Sequence, residues 1–461
     1  MQRRRGTGTG QNLRTEGCCL RRGRLYTGMY SMSRRVTRTT LLLGATLLAA
    51  GLLFSQPQRI FTGSPDHPAI QYSTRPTSDA VAQLNRKIEE GQLPLSFNGA
   101  SGYLRSVLAA LDISIESQVL VFSETSLQRE HITKTNPRAL YFNDTVAVGW
   151  VRGTDTLEVA AQDPEQGVVF YQLSQKAQEK PQFIREPQCL QCHTTPFAGG
   201  APGLLVMSML PLSDDPNEYA QGWGVDHRTP IEDRWGGWYV TGKQAPTRHL
   251  GNVPVHHVPR SYVRAAAAPK LESVTGEFNT APYLSAHSDV VALLVLNHQV
   301  TMTNLLTRLG WEARIAAHNA PPGQVREMPA HVREVAQELV DYLLFTHEAP
   351  LPSRVEGSSA FAREFSAKGP RDSQGRSLRD LDLERRLLRY PCSYLIYTDA
   401  FEALPGPAKA AVYERMWEIL SGEERNETYA RLSLADRQAV VEILRETKKG
   451  LPDYFRPGRI R

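Results

Sequence analysis

Five consecutive residues carry the most specific chemistry in this chain: Cys189-Leu190-Gln191-Cys192-His193. Two thiols at this spacing can add across the two vinyl groups of a haem, and the adjacent imidazole then faces the iron as its proximal ligand. Three other chemistries use similar residues. A thioredoxin-like dithiol needs a βαβ context with the first Cys opening a helix, but Pro187, Pro196 and Gly199-Gly200 mark this stretch as a loop. Structural zinc needs a second Cys/His pair at finger-like spacing, and the next His is only His227. A plain disulfide remains the bland alternative. A single Cys-x-x-Cys-His sets the expectation at one haem c, held through Cys189 and Cys192 with His193 on the metal.

What such an iron does depends on its sixth ligand, since two strong axial ligands suit electron transfer and an open position admits small molecules. The candidates are Met207, Met209, His227, His249, the His256-His257 pair, His298 and Met302. Within 289–313, which has no proline, Val291, Leu294, Val295, His298, Met302, Leu305 and Leu309 recur at helical steps. That pattern points His298 into an apolar stripe. A histidine there is ordinarily a satisfied core residue. Next to a haem it becomes the first choice for the distal metal ligand, followed by His249.

These residues need a scaffold. Residues 56–95 are rich in Pro and polar residues and read as a linker with one helix, Ser78–Gly91. Residues 96–180 alternate in runs at Gln118–Ser123, Arg138–Asn143, Thr145–Arg152, Thr156–Ala161 and Gly167–Leu173, broken by turn residues such as Gly153-Thr154-Asp155. This predicts an antiparallel meander. Residues 181–285 form a loop-rich, haem-binding region. From 286 to 461 the pattern is helical; Ser433 with Asp436 opens one helix that Gly450 and Pro452 close, and 405–422 repeats the signal. The expected class is α+β: an N-terminal antiparallel β-rich region, a loop-rich haem segment and a C-terminal helical region.

At 461 residues with 41% hydrophobic and 22% charged residues, the chain has material for a sizeable core. Its formal charge of +5 is misleading, because residues 1–38 hold ten Arg and one acid. The remainder carries 43 bases and 47 acids, so a nucleic-acid-binding body is not expected. The basic leader precedes a charge-free stretch, Thr39–Ser55, of 17 residues. At about 1.5 Å per residue this would span roughly 25 Å as a helix. Residues 1–55 therefore read as an export signal, either cleaved near Ala49-Ala50-Gly51 or retained as a membrane anchor through 39–55. The body is expected in the periplasm or on the outer face of the inner membrane. Cys392 is then a leftover thiol in the apolar run Tyr390–Tyr397.

Residues 187–311 resemble exported, largely uncharacterised bacterial cytochrome c domain proteins. The matching stretches are Cys189–His193, Asp226-His227-Arg228-Thr229-Pro230, Arg234–Gly242 (RWGGWYVTG), His249-Leu250-Gly251-Asn252 and Asn297-His298-Gln299. The stretch Arg389–Tyr394 extends the likeness into the helical part. The resemblance implies covalent haem and an extracytoplasmic location, and it supplies no substrate. Such sequences tend to carry Met where this chain has Leu250, which argues against an axial Met at that position. The aromatic Arg234–Gly242 segment reads either as a wall of the haem crevice, with Trp235 against the ring and Arg228 or Arg234 pairing a propionate, or as a packed aromatic corner. Two functions compete. One is electron transfer by a monohaem cytochrome within a larger scaffold, toward a redox partner protein that the sequence does not identify. The other is a haem enzyme or sensor with an open iron, of peroxidase-like or gas-binding type. No distal acid–base motif is evident, which favours the first.

Overall fold

The computed structural model describes residues 60–209, 222–253, 267–321 and 328–455. The basic leader, the 39–55 segment and His256-His257 lie outside the described residues. The architecture is mixed α+β, with an N-terminal antiparallel sheet and a C-terminal helical region.

Two helices precede the sheet. Asp79 caps α1 (Ala80–Glu89), its carboxylate accepting from Val81 N–H and Ala82 N–H, and α2 (Leu104–Ala110) follows. The sheet comprises β1 (Val119–Val121), β2 (Arg138–Phe142), β3 (Val146–Trp150), β4 (Thr156–Asp163), β5 (Gly167–Ser174) and β6 (Phe183–Arg185). Its six strands lie in sequence order, each antiparallel to the next. Five of the strands fall where alternation places them; the short β6 was not foreseen.

Alternation gives the sheet two different faces. On one, Tyr141, Val148, Val159, Val169 and Tyr171 pack with Val81, Leu84 and Ile88 of α1 and Leu104 and Val107 of α2. The 56–95 segment is thus no simple linker: Phe61, Ile70 and Tyr72 also enter this core. Single aromatic and aliphatic residues among prolines carry no periodicity, so their burial leaves no trace in the pattern. On the other face, Val119, Val121 and Phe142 meet the helical region, and Ala160, Val168 and Phe170 meet Cys189, Leu190 and Leu204.

Two short strands and five helices complete the part of the frame that concerns the motif. The helix α3 (Leu190–His193), which carries the end of the Cys-x-x-Cys-His motif, is followed by a two-stranded ribbon, β7 (Met207–Ser208) with β8 (Trp223–Gly224). The central helix α4 (Val290–Asn319) is 30 residues long, about 45 Å, and is capped by Asp289. By length and composition it could cross a membrane, yet 94% of its most apolar window is buried within the protein. An apolar helix sealed on nearly every side is a core helix. It is covered by α5 (Ala330–Leu343) and α6 (Gly406–Ser421), and α7 (Leu434–Thr447) packs on α6. Ser433 caps α7 by accepting from Asp436 N–H, as the capping pattern predicts.

Polar residues on α4 tie it to its neighbours. Asn304 holds the backbone of Leu204 from both sides, and Gln299 donates to the Asn143 carbonyl at the β2–β3 turn. Gln162, on β4, donates to Thr307 at 3.3 Å. The helix therefore fixes both the sheet and the extended chain that follows the Cys-x-x-Cys-His motif.

Candidate functional site

The motif follows directly from the sheet edge. After β6, Glu186 accepts from Gln188 N–H at 2.9 Å, Pro187 opens a single tight turn through Cys189, and α3 continues to His193. The segment was expected as a loop. Proline in a first helical turn has no N–H to lose, so two short helical pieces form before Pro196 closes them. Cys189 and Cys192 stand three residues apart on this turn, hence on one face with Cβ atoms roughly 5–6 Å apart. Both are free thiols; Cys189 is half-buried and Cys192 exposed.

The His193 imidazole is oriented by its own chain. Its Nδ1 lies 2.7 Å from the Gly203 carbonyl, which can only accept, so the proton sits on Nδ1 and the Nε2 lone pair is available. No described residue uses that nitrogen. This is the polarity a metal-binding histidine requires. Asn304 positions the arrangement through the next residue, receiving Leu204 N–H and donating to Leu204 C=O, each at 2.8 Å. The ring packs on Phe170 at a centroid distance of 4.5 Å. Burial, above all, lowers the pKa of His193 and keeps it neutral.

Cys189 rests on Ala160, Val168 and Phe170, beside Leu204. Burial, reinforced by Glu158 and Glu186, pushes its thiol up to about 11. A redox-active dithiol needs the opposite shift, so the geometry disfavours a thioredoxin-like role. Among the described residues no three His, Cys, Asp or Glu side chains gather as a metal-binding group. A haem iron needs only one or two protein ligands, because the porphyrin supplies four.

The other expected site residues are placed as follows. His298 is fully buried with both ring nitrogens engaged: Nδ1 lies 2.8 Å from His227 Nδ1 and Nε2 lies 2.7 Å from Ser393 Oγ. The two imidazoles stack with Tyr342 and Phe345. This sealed array does not include His193, and a ligand role for His298 would require breaking it. The helical stripe correctly pointed His298 inward; the partner it finds there is polar protein. His249 is buried beside Trp235, and its Nδ1 accepts from Gly251 N–H at 3.0 Å. A neutral imidazole accepting at Nδ1 carries its proton on Nε2, the reverse of the polarity at His193. Arg228 is committed to Asp226 and lies over the Tyr342 ring. Arg234, also buried, donates to the carbonyls of Thr229 and His227. Trp235 donates to Asn297 Oδ1 at 2.9 Å within the main core, at a left-handed φ of 70°. These four residues lie in a packed corner whose neighbours brace the chain after the motif: Gly236 N–H donates to Ser208 Oγ, and Trp238 donates to the Met207 carbonyl.

Met209 is buried in the core, whereas Met207 is half-buried on the opposite side of the ribbon from Val206 and Ser208. Its cross-strand neighbour is Gly224, where an added Cβ would meet the Phe197 ring at 3.2 Å. Met207 thus shares a side with Phe197, four residues beyond His193.

Sequence reasoning missed Phe170, Gly203 and Asn304, and with them the pair Arg138–Glu158, at 2.5 Å on the same sheet face as Ala160. The signal available for the pair was register: in strands of known face, Arg138 and Glu158 share the alternation of Leu140 and Ala160. No protein-family model, curated protein or solved structure matches this chain.

Proposed function

We propose that the chain is an exported monohaem c-type cytochrome whose haem is attached at Cys189 and Cys192, with His193 as proximal ligand, and that it transfers electrons within a larger scaffold. The observation that carries the reading is the polarity at His193: a half-buried neutral imidazole, Nδ1–H bound to the Gly203 carbonyl and Nε2 left for the iron. Two free thiols on the preceding turn complete the requirement. When bound, the haem supplies a one-electron couple. The protein's part is to hold the imidazole at fixed orientation through Gly203 and Asn304, and to exclude water from one side with Ala160, Val168, Phe170 and Leu204. The resemblance to extracytoplasmic cytochrome c domain proteins and the basic-then-apolar leader support the same reading, and with it a location in the periplasm or on the outer face of the inner membrane.

The second reading is an open-iron enzyme or sensor. Its supporting observation is that neither His298 nor His249 has the hydrogen-bond polarity of a ready ligand. A reduced spectrum recorded with and without carbon monoxide discriminates the two. Electron transfer predicts a low-spin c-type spectrum that carbon monoxide leaves unchanged; rapid carbon monoxide binding selects the open iron.

A further inference from the structure

Arg138 stands out among the groups around the motif because its donors are incompletely used. One terminal nitrogen pairs with Glu158 Oε2 at 2.5 Å, and Ser126 holds the same carboxylate from the far side at 3.0 Å. Its Nε is buried and has no partner. Leaving such a donor unmatched is unfavourable unless something else binds it.

The backbone is shaped to carry this guanidinium. Arg138 lies across Gly149 on the neighbouring strand, where an added Cβ would stand 2.5–2.9 Å from its Nη2, Nε and Cζ. Any other residue would displace it. The face on which it lies continues through Leu140 and Ala147, both half-buried against the helical core, to Ala160, the residue under Cys189. Two alanines and a glycine keep this strip of the face free of large side chains. A flat apolar body attached at Cys189 would extend along that strip toward an arginine with a free donor. The chemical class that matches is a tetrapyrrole with acidic side groups.

We propose that Arg138, laid across Gly149 and shared with Glu158, anchors a propionate carboxylate of the attached haem. This rests on the haem reading above, and it moves the role expected of Arg228 or Arg234 to a residue on the sheet. A guanidinium fork offers the incoming carboxylate charge-assisted hydrogen bonds while it keeps Glu158.

The test uses the full chain matured with haem, as wild type, Arg138→Gln, Arg138→Lys and the double variant Arg138→Gln/Glu158→Gln. Covalent haem is read by mass, the midpoint potential is titrated from pH 5 to 9, and folding is followed by thermal unfolding. In wild type the propionate stays ionised, so the potential is flat across this range. Arg138→Gln retains one haem but shifts to a more negative potential and acquires a pH-dependent segment as the released propionate titrates. Arg138→Lys, which keeps the charge and loses the fork, falls between them and serves if the Gln variant does not fold. The double variant keeps the negative shift and the pH dependence. Return of the double variant to the wild-type potential would overturn the proposal, since Arg138 would then merely balance Glu158. An unaltered profile in Arg138→Gln would overturn it too. Absence of haem from wild type would instead remove the functional reading on which it stands.

Discussion

Replacing His298 by Ala separates a structural array from an iron ligand. The change deletes one imidazole from the chain His227–His298–Ser393 and leaves two buried groups without that partner. His227 Nδ1 loses its only hydrogen bond, and its Nε2 is already unpartnered. Ser393 Oγ keeps Leu395 N–H, so its loss is smaller. At about 1–3 kcal/mol for an orphaned buried group, the hydrogen bonds account for roughly 2–4 kcal/mol. Lost stacking on Phe345, at 4.3 Å, and on Tyr342, at 5.3 Å, adds about 1 kcal/mol. A total of about 3–5 kcal/mol is a large share of an ordinary domain's stability. Denaturant unfolding of the haem-loaded variant should therefore show a lowered midpoint, while the folded fraction keeps the wild-type iron spin state and the wild-type response to carbon monoxide. The reverse outcome, unchanged unfolding with conversion to a high-spin, carbon-monoxide-binding iron, would make His298 the sixth ligand and refute the argument.

Asn304→Leu removes both hydrogen bonds on Leu204 and should cost about 1–3 kcal/mol, with less haem attached per chain because the Gly203 carbonyl no longer holds the His193 ring; thermal unfolding and haem-to-protein ratio check this. Gly236→Ala would set a Cβ 2.1 Å from the Met209 carbonyl oxygen, which is backbone and cannot swing away, so a loss of at least about 2 kcal/mol is expected in the same assay. Acid should destabilise the fold. Burial lowers His249 to about 4 and His298 to about 3, both beneath the ordinary 6.5, so the unfolded chain takes up protons first as pH falls. Stability present above pH 6.5 is lost below it, about 2 kcal/mol per histidine by pH 5 at 1.36 kcal/mol per unit. Denaturant midpoints at pH 7.5 and pH 5 that coincide would contradict that account.

The sheet was legible because Arg138–Asn143, Thr145–Arg152 and Gly167–Leu173 alternate between clear turn residues, and local pattern is what fixes a meander. The helix start was legible where a capping pair is present, as at Ser433 with Asp436. The Cys-x-x-Cys-His motif is written in five contiguous residues. What surrounds it is assembled from Phe170, Gly203, Asn304, Arg138 and Glu158, spread over β2, β4, β5, the extended chain after the motif and α4. Their convergence depends on which sheet face the motif covers, and no local periodicity encodes that choice. The histidines illustrate the same limit. Helical spacing turned His298 inward, but only tertiary packing decides between an iron and the Ser393 hydroxyl, which comes from the apolar run Tyr390–Tyr397. Similarly, His249 and His193 look alike in sequence and differ in whether Nδ1 meets an N–H or a carbonyl.

The most direct measurement is the intact mass of the full chain produced alongside a cytochrome c maturation system, taken after denaturation, with a Cys189→Ala/Cys192→Ala variant in parallel. The account predicts one added haem mass that survives denaturation in wild type and is missing from the double variant. An unchanged wild-type mass, or haem that extracts into acid-acetone, would contradict covalent attachment at Cys189 and Cys192.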